Sequence, residues 1–231
     1  MKKLGIIVGM GPLATQLLYK EITEHTKVSC DQEHIDMIIL SHASMPDRTG
    51  AICSGNTEEV KRLLTADVEF LEKSGVDAIA VPCNTSHYFW QDMQNAAKIP
   101  VINMVSETVA EISKRGGKKI GVLATDGTVF TGIYKKECEA AGVEYFAPDE
   151  EHQKLVMRII YEQIKKGLPG SKEDFEKIDK HLKQNGCDGA ILACTELSCY
   201  AKDNNTDDYY VDALDVLVKK SIEICEGEYV G

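Results

Sequence analysis

Two cysteines stand at the ends of apolar runs in this chain: Cys83 in VPCNTSHYF (81–89) and Cys194 in CDGAILACTELSCY (187–200). The segments align as GVDAIAVPCNTS (75–86) and GCDGAILACTEL (186–197), so the cysteines are matched at an offset of 111 residues (194 − 83). A thiol titrates near pH ~8.5 and is lowered at a helix N-terminus, so it serves as base or acid near neutrality. Two thiols facing one molecule can invert a carbon stereocentre, one removing a proton from one face and the other delivering a proton to the opposite face. Asn84-Thr85 and Thr195-Glu196 follow the cysteines, where each segment turns into a helix. Backbone N–H groups at such turns hold a carboxylate and offset negative charge on a carbon acid.

The same residues admit other uses. Strand-end cysteines are ordinarily small buried apolar residues, a reading that the pairing and the polar flanks weaken. Cys83 and His87 lie four apart and would share a helical face, as in a Cys–His hydrolase or, with Cys194, a zinc site. Further ligands at suitable spacing are missing, so no metal is expected, and His87 reads as a supporting or packing residue. GMGPLA (9–14) fits the G-x-G-x-x-A dinucleotide fingerprint, but Asp36 stands at the start of the second strand, where the fingerprint wants an acid at its end. Thr15, Thr125 and Thr128 would line a cleft or cap helices. Glu196 would either reach the cleft or charge a helix start. Arg48, in a long polar loop, reads by itself as a solvated arginine.

The elements that must position these residues alternate strand and helix. Strands are predicted at 4–9, 35–42, 76–82, 99–103, 118–125, 143–147 and 188–193, and helices at 13–27, 57–75, 129–141, 150–166 and 172–185. Residues 43–56 read as a loop, and 209–227 as a short strand and a helix returning to the first half. LGIIVGMGPLAT (4–15) also aligns with IGVLATDGTVFT (120–131), at an offset of 116. Two landmarks at nearly equal offsets indicate an internal duplication. The expectation is an α/β fold of two similar Rossmann-like domains with mostly parallel sheets, related by a pseudo-two-fold axis. Residues 1–104 with 211–231 would form the first domain and 105–210 the second. Ligands in open α/β sheets bind beyond the carboxyl ends of the strands, which puts both cysteines and both glycine turns at one interdomain cleft.

The 231 residues, 43% apolar and 27% charged, describe an ordinary globular chain. No segment approaches the ~18 uninterrupted apolar residues of a membrane span, and MKKLGIIVGMGP (1–12) reads as a buried first strand rather than a leader. The net charge of −11, with lysines and arginines scattered, argues against a nucleic-acid partner. An anionic small substrate would have to be held by local basic side chains and helix N-termini. With no leader expected, the eight cysteines read as reduced thiols in a cytoplasmic setting, and the lack of a CxxC pair argues against a zinc ribbon or a thioredoxin-type centre.

PCNTSHYF (82–89) and ACTEL (193–197) closely resemble the two catalytic signatures of the cofactor-independent aspartate/glutamate racemase superfamily. GMGPLAT (9–15), PDRT (46–49) and LATDGT (123–128) resemble its aspartate racemase branch. The resemblance covers residues 5 to about 197. It implies a homodimeric racemase that uses no pyridoxal phosphate or other cofactor and acts on an acidic amino acid, aspartate or glutamate. It makes Cys83 and Cys194 the catalytic bases. Arg48 and Lys165 of IYEQIKKG (160–167), with Lys166 as the neighbouring alternative, would read the side-chain carboxylate. Met10, Asn84, Thr85, Thr125, Thr128, Thr195 and Glu196 would complete the substrate site. Family members commonly carry an Asp and then a His at the start of the last helix; here VDALDVLVKK (211–220) has Asp212 and no His. A dicarboxylate isomerase or decarboxylase of the same fold, a racemase of broad specificity, and a non-catalytic dicarboxylate binder are the alternatives. A decarboxylase needs one proton donor only, and a binder needs no thiols.

Overall fold

The computed structural model describes all 231 residues. Two wholly parallel sheets carry the chain. The first holds β1 (Leu4–Val8), β2 (Met37–Ser41) and β3 (Ala78–Ala80) in the order β2-β1-β3, and Val101 bridges to Ile79 outside β3. The second holds β4 (Lys119–Ala124), β5 (Glu144–Phe146), β6 (Gly189–Ala193) and β7 (Tyr210–Asp212) in the order β5-β4-β6-β7. The halves thus repeat one strand order, with the segment at Val101 in the place of β7. The expected strand at 99–103 is reduced to that bridge and its flanking hydrogen bonds, Ile79 N–H to Pro100 O and Ile102 N–H to Ile79 O, both 2.9 Å.

The strands alternate as a two-sided burial pattern requires. Leu4, Ile6 and Val8 face a core shared with Ile120, Val122 and Ala124 of the second sheet. Ile7 and Ile79 face the opposite way, against Val60, Leu64 and Val68 of α3 (Glu58–Lys73). In the second half Leu123 and Leu192 pack with Ile178 and Leu182 of α9 (Lys172–Gln184). Gly121 has no room for a side chain, since a Cβ there would lie 2.8 Å from Leu182 Cδ2.

The connections crossing between the halves are α5 (Met104–Lys114) and α11 (Ala213–Ile224). α11 follows β7 yet packs on α1 (Pro12–His25) and β3 of the first half; α5 follows the first half yet packs on β7 and on α7 (Ile133–Ala140) of the second. The two helices also pack on each other. Leu214, Leu217, Val218 and Ile222 give α11 its buried stripe, at helical spacing. The C-terminal segment read as returning to the first half therefore divides: its strand joins the second sheet and its helix makes the return.

Three helical expectations change, each for a local reason. Residues 43–56 contain a helix, α2 (Arg48–Ser54), because Asp47 caps it by accepting a 2.6 Å hydrogen bond from Gly50 N–H. The helix expected at 129–141 begins earlier, as α6 (Asp126–Thr131) capped by Thr125, and breaks before α7 at Gly132, whose φ of 65° lies in the left-handed region. The helix expected at 150–166 runs as α8 (Glu150–Met157), then opens into a wide turn over Arg158–Gln163 and a tight turn over Ile164–Lys166. The remaining helices are α4 (Trp90–Asn95) and α10 (Thr195–Asn204). No helix is long and apolar enough to cross a membrane.

Leu217 is fully buried in the core that both sheets share. Leu217→Ala is expected to cost about 2–5 kcal/mol of stability, through a single transition followed alike by circular dichroism and by Trp90, the only tryptophan, in the first half. Two separated transitions, or a change below about 1 kcal/mol, would contradict a core common to both halves.

Candidate active site

The carboxyl ends of the two sheets meet around one small, nearly closed cavity. Cys83, Asn84 and Thr85 enter it from the end of β3, and Cys194, Thr195 and Glu196 from the end of β6. Met10 comes from the turn after β1, Arg48 from the start of α2, Thr125 from the end of β4 and Lys165 from the turns after α8. Of the catalytic and substrate-site residues that the resemblance implies, only Thr128 and the alternative Lys166 lie off the lining. The Thr128 hydroxyl is 3.0 Å from that of Thr85, which also contacts the Thr125 hydroxyl at 2.9 Å. These three buried hydroxyls tie the turn after Cys83 to the start of α6, and so one half to the other. The approach needs Gly127, where a Cβ would lie 2.9 Å from Thr49 Cα.

Arg48 is not a solvated loop residue. It is 7% exposed, with its guanidinium donating to Pro46 O at 2.9 Å and to Met10 O at 3.2 Å. Its Nε, and Asn84 Nδ2, are buried donors without a protein acceptor, and buried donors of this kind call for an oxygen ligand. Asn84 is fixed through its other atom, Oδ1, which accepts from the buried Tyr134 hydroxyl of α7.

The two thiols have unlike neighbours. Cys83 lies beside the Arg48 guanidinium; burial works against that cation, but the Cys83 thiol and Asp47 outweigh it and raise Arg48 above its ordinary range. Cys194 donates to Glu196 Oε2 at 2.9 Å. Burial, and then the Glu196 carboxylate, push the Cys194 thiol well above its ordinary range, with Lys165 pulling the other way. Lys165 Nζ is 3.5 Å from Glu196 Oε1. Burial disfavours the Lys165 charge, but Glu196 and the thiols leave it raised. Lys165 thus faces the cavity, with its side chain 24% exposed, whereas Lys166 is exposed and lines nothing there.

His87 turns its ring away from both sulfurs. Nδ1–H donates to Cys83 O at 2.9 Å and Nε2 accepts from Met104 N–H at 3.1 Å. Burial pushes its pKa below the ordinary value, so the ring is neutral and braces the Cys83 turn against α5. Thr15 holds the glycine turn, accepting from Gly9 N–H at 3.3 Å, and does not line the cavity. Gly9, at φ 97°, has no space for a side chain beside the backbone of His42 and Ala43. Asp212 caps α11, accepting from Leu214 N–H at 2.8 Å and from the Ser198 hydroxyl at 2.7 Å.

Asp47, Thr49 and Tyr161 also line the cavity, and sequence reasoning missed them. Asp47 and Thr49 sit inside the same PDRT segment as Arg48. Tyr161 lies four residues before Lys165, whose Nζ rests 4.8 Å from its ring centre, so helical spacing could have found it. The Tyr161 hydroxyl donates to Asp47 Oδ1 at 3.1 Å, joining the halves across the cavity.

With this geometry in view, comparison with known proteins is specific. Residues 7–220 match the model of the Asp/Glu/Hydantoin racemase family. A broad-specificity amino-acid racemase of Bacillus subtilis is 27% identical over 223 residues, which cover 95% of this chain and 96% of that one. The structure is similar to that of Picrophilus torridus aspartate racemase, with a TM-score of 0.85 at 28% identity over 100% of this chain and 96% of that one. It is also similar to an aspartate racemase homologue from Pyrococcus horikoshii, with a TM-score of 0.79 at 29% identity over 98% and 100% of the two chains. The chain belongs to the Asp/Glu/Hydantoin racemase family, and its two parallel α/β halves, closed on one cavity, are those of an isomerase acting on amino acids.

Proposed function

We propose that the protein interconverts L- and D-aspartate by two-base proton transfer at Cα, with Cys83 and Cys194 as the bases and no cofactor. The carrying observation is that both thiols line one small cavity, each from the end of a different sheet. On this reading the substrate lies between the sulfurs. Its side-chain carboxylate meets Arg48 and Lys165, and its α-carboxylate meets the turns at Asn84-Thr85 and Thr195. A thiolate on one face takes the Cα proton while a thiol on the other face supplies one. The cavity has about 10 Å³ of free space, room for about one water, so the two halves part slightly to admit an amino acid. A wider range of amino acids is the second reading, favoured by the B. subtilis relative of broad specificity. A homodimer belongs to the same proposal through the family resemblance, and a cytoplasmic setting through the cysteine-rich sequence.

Incubation with L-aspartate and no added cofactor is expected to yield D-aspartate, measured by chiral chromatography. Cys83→Ala or Cys194→Ala should abolish the conversion, whereas Cys138→Ala on α7 and Cys225→Ala at the end of α11, both off the cavity, should remain active. Full activity in either of the first two variants would overturn the two-base assignment.

The competent form needs one thiolate and one thiol. A Cys194 proton held tightly by burial and Glu196 keeps the acid available to high pH, so the alkaline limb of the kcat/KM profile should lie above the ordinary thiol range of about 8.5. Glu196→Gln removes the carboxylate charge, releases that proton more readily, and should move the limb to lower pH. An unmoved limb would show that Glu196 does not set the acid.

A further inference from the structure

A second cluster of potential ligands lies outside the catalytic cavity, where the first turn of α8 meets the end of α9. Asp149 caps α8, accepting from His152 N–H at 3.0 Å, and its Oδ1 is also 2.7 Å from His152 Nδ1. Its other oxygen is 3.7 Å from His181 Nδ1, on α9. The two imidazoles stack with centres 3.8 Å apart and planes 16° from parallel. One ligand atom from each of the three residues lies within 4.8 Å of the others. None of the three lines the catalytic cavity.

The chemistry of the cluster differs from that of the surface ion pairs around it. Neighbouring pairs such as Lys154–Glu150 and Lys177–Glu173 join a lysine to an acid one turn away, whereas both ion-pair partners of Asp149 are histidines. The His181 side chain is 12% exposed and packs beside Phe146, with ring centres 5.7 Å apart. Asp149 is open to water, with its side chain 56% exposed, which gives an ion a path in.

We propose that Asp149, His152 and His181 bind a first-row divalent cation of the zinc, cobalt and nickel class. Two imidazole nitrogens and one carboxylate oxygen select these ions over magnesium and calcium, which prefer all-oxygen sets. Three protein ligands leave the remaining positions to water. Binding exchanges the ring stack and the His152–Asp149 hydrogen bond for metal–ligand bonds and pins the first turn of α8 to α9. α8 runs without interruption into the turns that carry Tyr161 and Lys165, so the ion braces the segment behind the catalytic cavity.

The test is a cobalt titration of the chelator-treated full-length protein, by equilibrium dialysis and visible absorption. The eight free thiols compete for such metals, and thiolate ligation reveals itself by its charge-transfer band. One cobalt per chain without that band is expected, and the same in the Cys83→Ala/Cys194→Ala double variant. His152→Ala and Asp149→Asn should each weaken binding by at least about tenfold, the loss that even an outer partner of a metal ligand causes. Asn caps a helix as well as Asp does, so Asp149→Asn tests the ligand without disturbing α8. Unchanged affinity in both variants, a thiolate band, displacement by an equal concentration of magnesium, or no binding at millimolar cobalt would each overturn the site.

Discussion

α5 and α11 each leave the half whose last strand they follow and pack on the other half. Everything at the cavity depends on this exchange. Two α/β halves joined by a single linker would be free to move as separate bodies, since interfaces between domains are commonly small and polar. Here Leu4, Ile6 and Val8 of one sheet and Ile120, Val122 and Ala124 of the other are buried in one core that also holds Leu214, Leu217 and Ile222 of α11. The carboxyl edges are thereby set against each other, close enough for the hydroxyls of Thr85, Thr125 and Thr128 to join across the divide. Bringing groups from two sheets to one small molecule needs that fixed relation, because catalysis by placed groups is lost with small displacements.

The duplication supplies matched thiols, and the local sequence makes them unlike. A guanidinium stands beside Cys83 and a carboxylate accepts from Cys194. A symmetric environment would leave two thiols competing for the same protonation state. At Cys194 burial and the Glu196 carboxylate hold the proton in place, which suits that thiol to deliver a proton. The two cations of the cavity, Arg48 and Lys165, lie on different halves, so a carboxylate bound by both would also hold the cavity closed. The hydrogen bond from Tyr161 to Asp47 draws the same two segments together.

Much of this was legible in the sequence because the signals were local. Apolar runs gave the strands, and matching Gly, Asp and Cys positions gave the repeat and with it the two-sided site. What escaped needed tertiary contact or fine turn geometry. Arg48 looked solvated from its loop, and is buried because Asp47 starts a helix there and folds the guanidinium onto Met10 O and Pro46 O. The wide turn over Arg158–Gln163 leaves no mark on helical periodicity, so the break in the helix expected at 150–166 was not placed. β7 pairs with β6 through backbone hydrogen bonds, which a three-residue strand cannot announce in its side chains. Glu196 was ambiguous between cleft and helix start, and its position at the start of α10 makes it both.

Whether two thiols act on one carbon from opposite faces is decided by the distribution of hydrogen isotope between the enantiomers. The reaction is run from L-aspartate in D2O, and each enantiomer is separated at low conversion and analysed for deuterium at Cα. Two opposed thiols predict D-aspartate that carries deuterium from the first turnovers and remaining L-aspartate that stays largely protonated. The thiol that removes the proton keeps it in a closed, water-poor cavity, while the other delivers solvent hydrogen. Deuterium entering the recovered L-aspartate as fast as it appears in the D form would contradict the account, since a single group would then be removing and returning hydrogen on the same face.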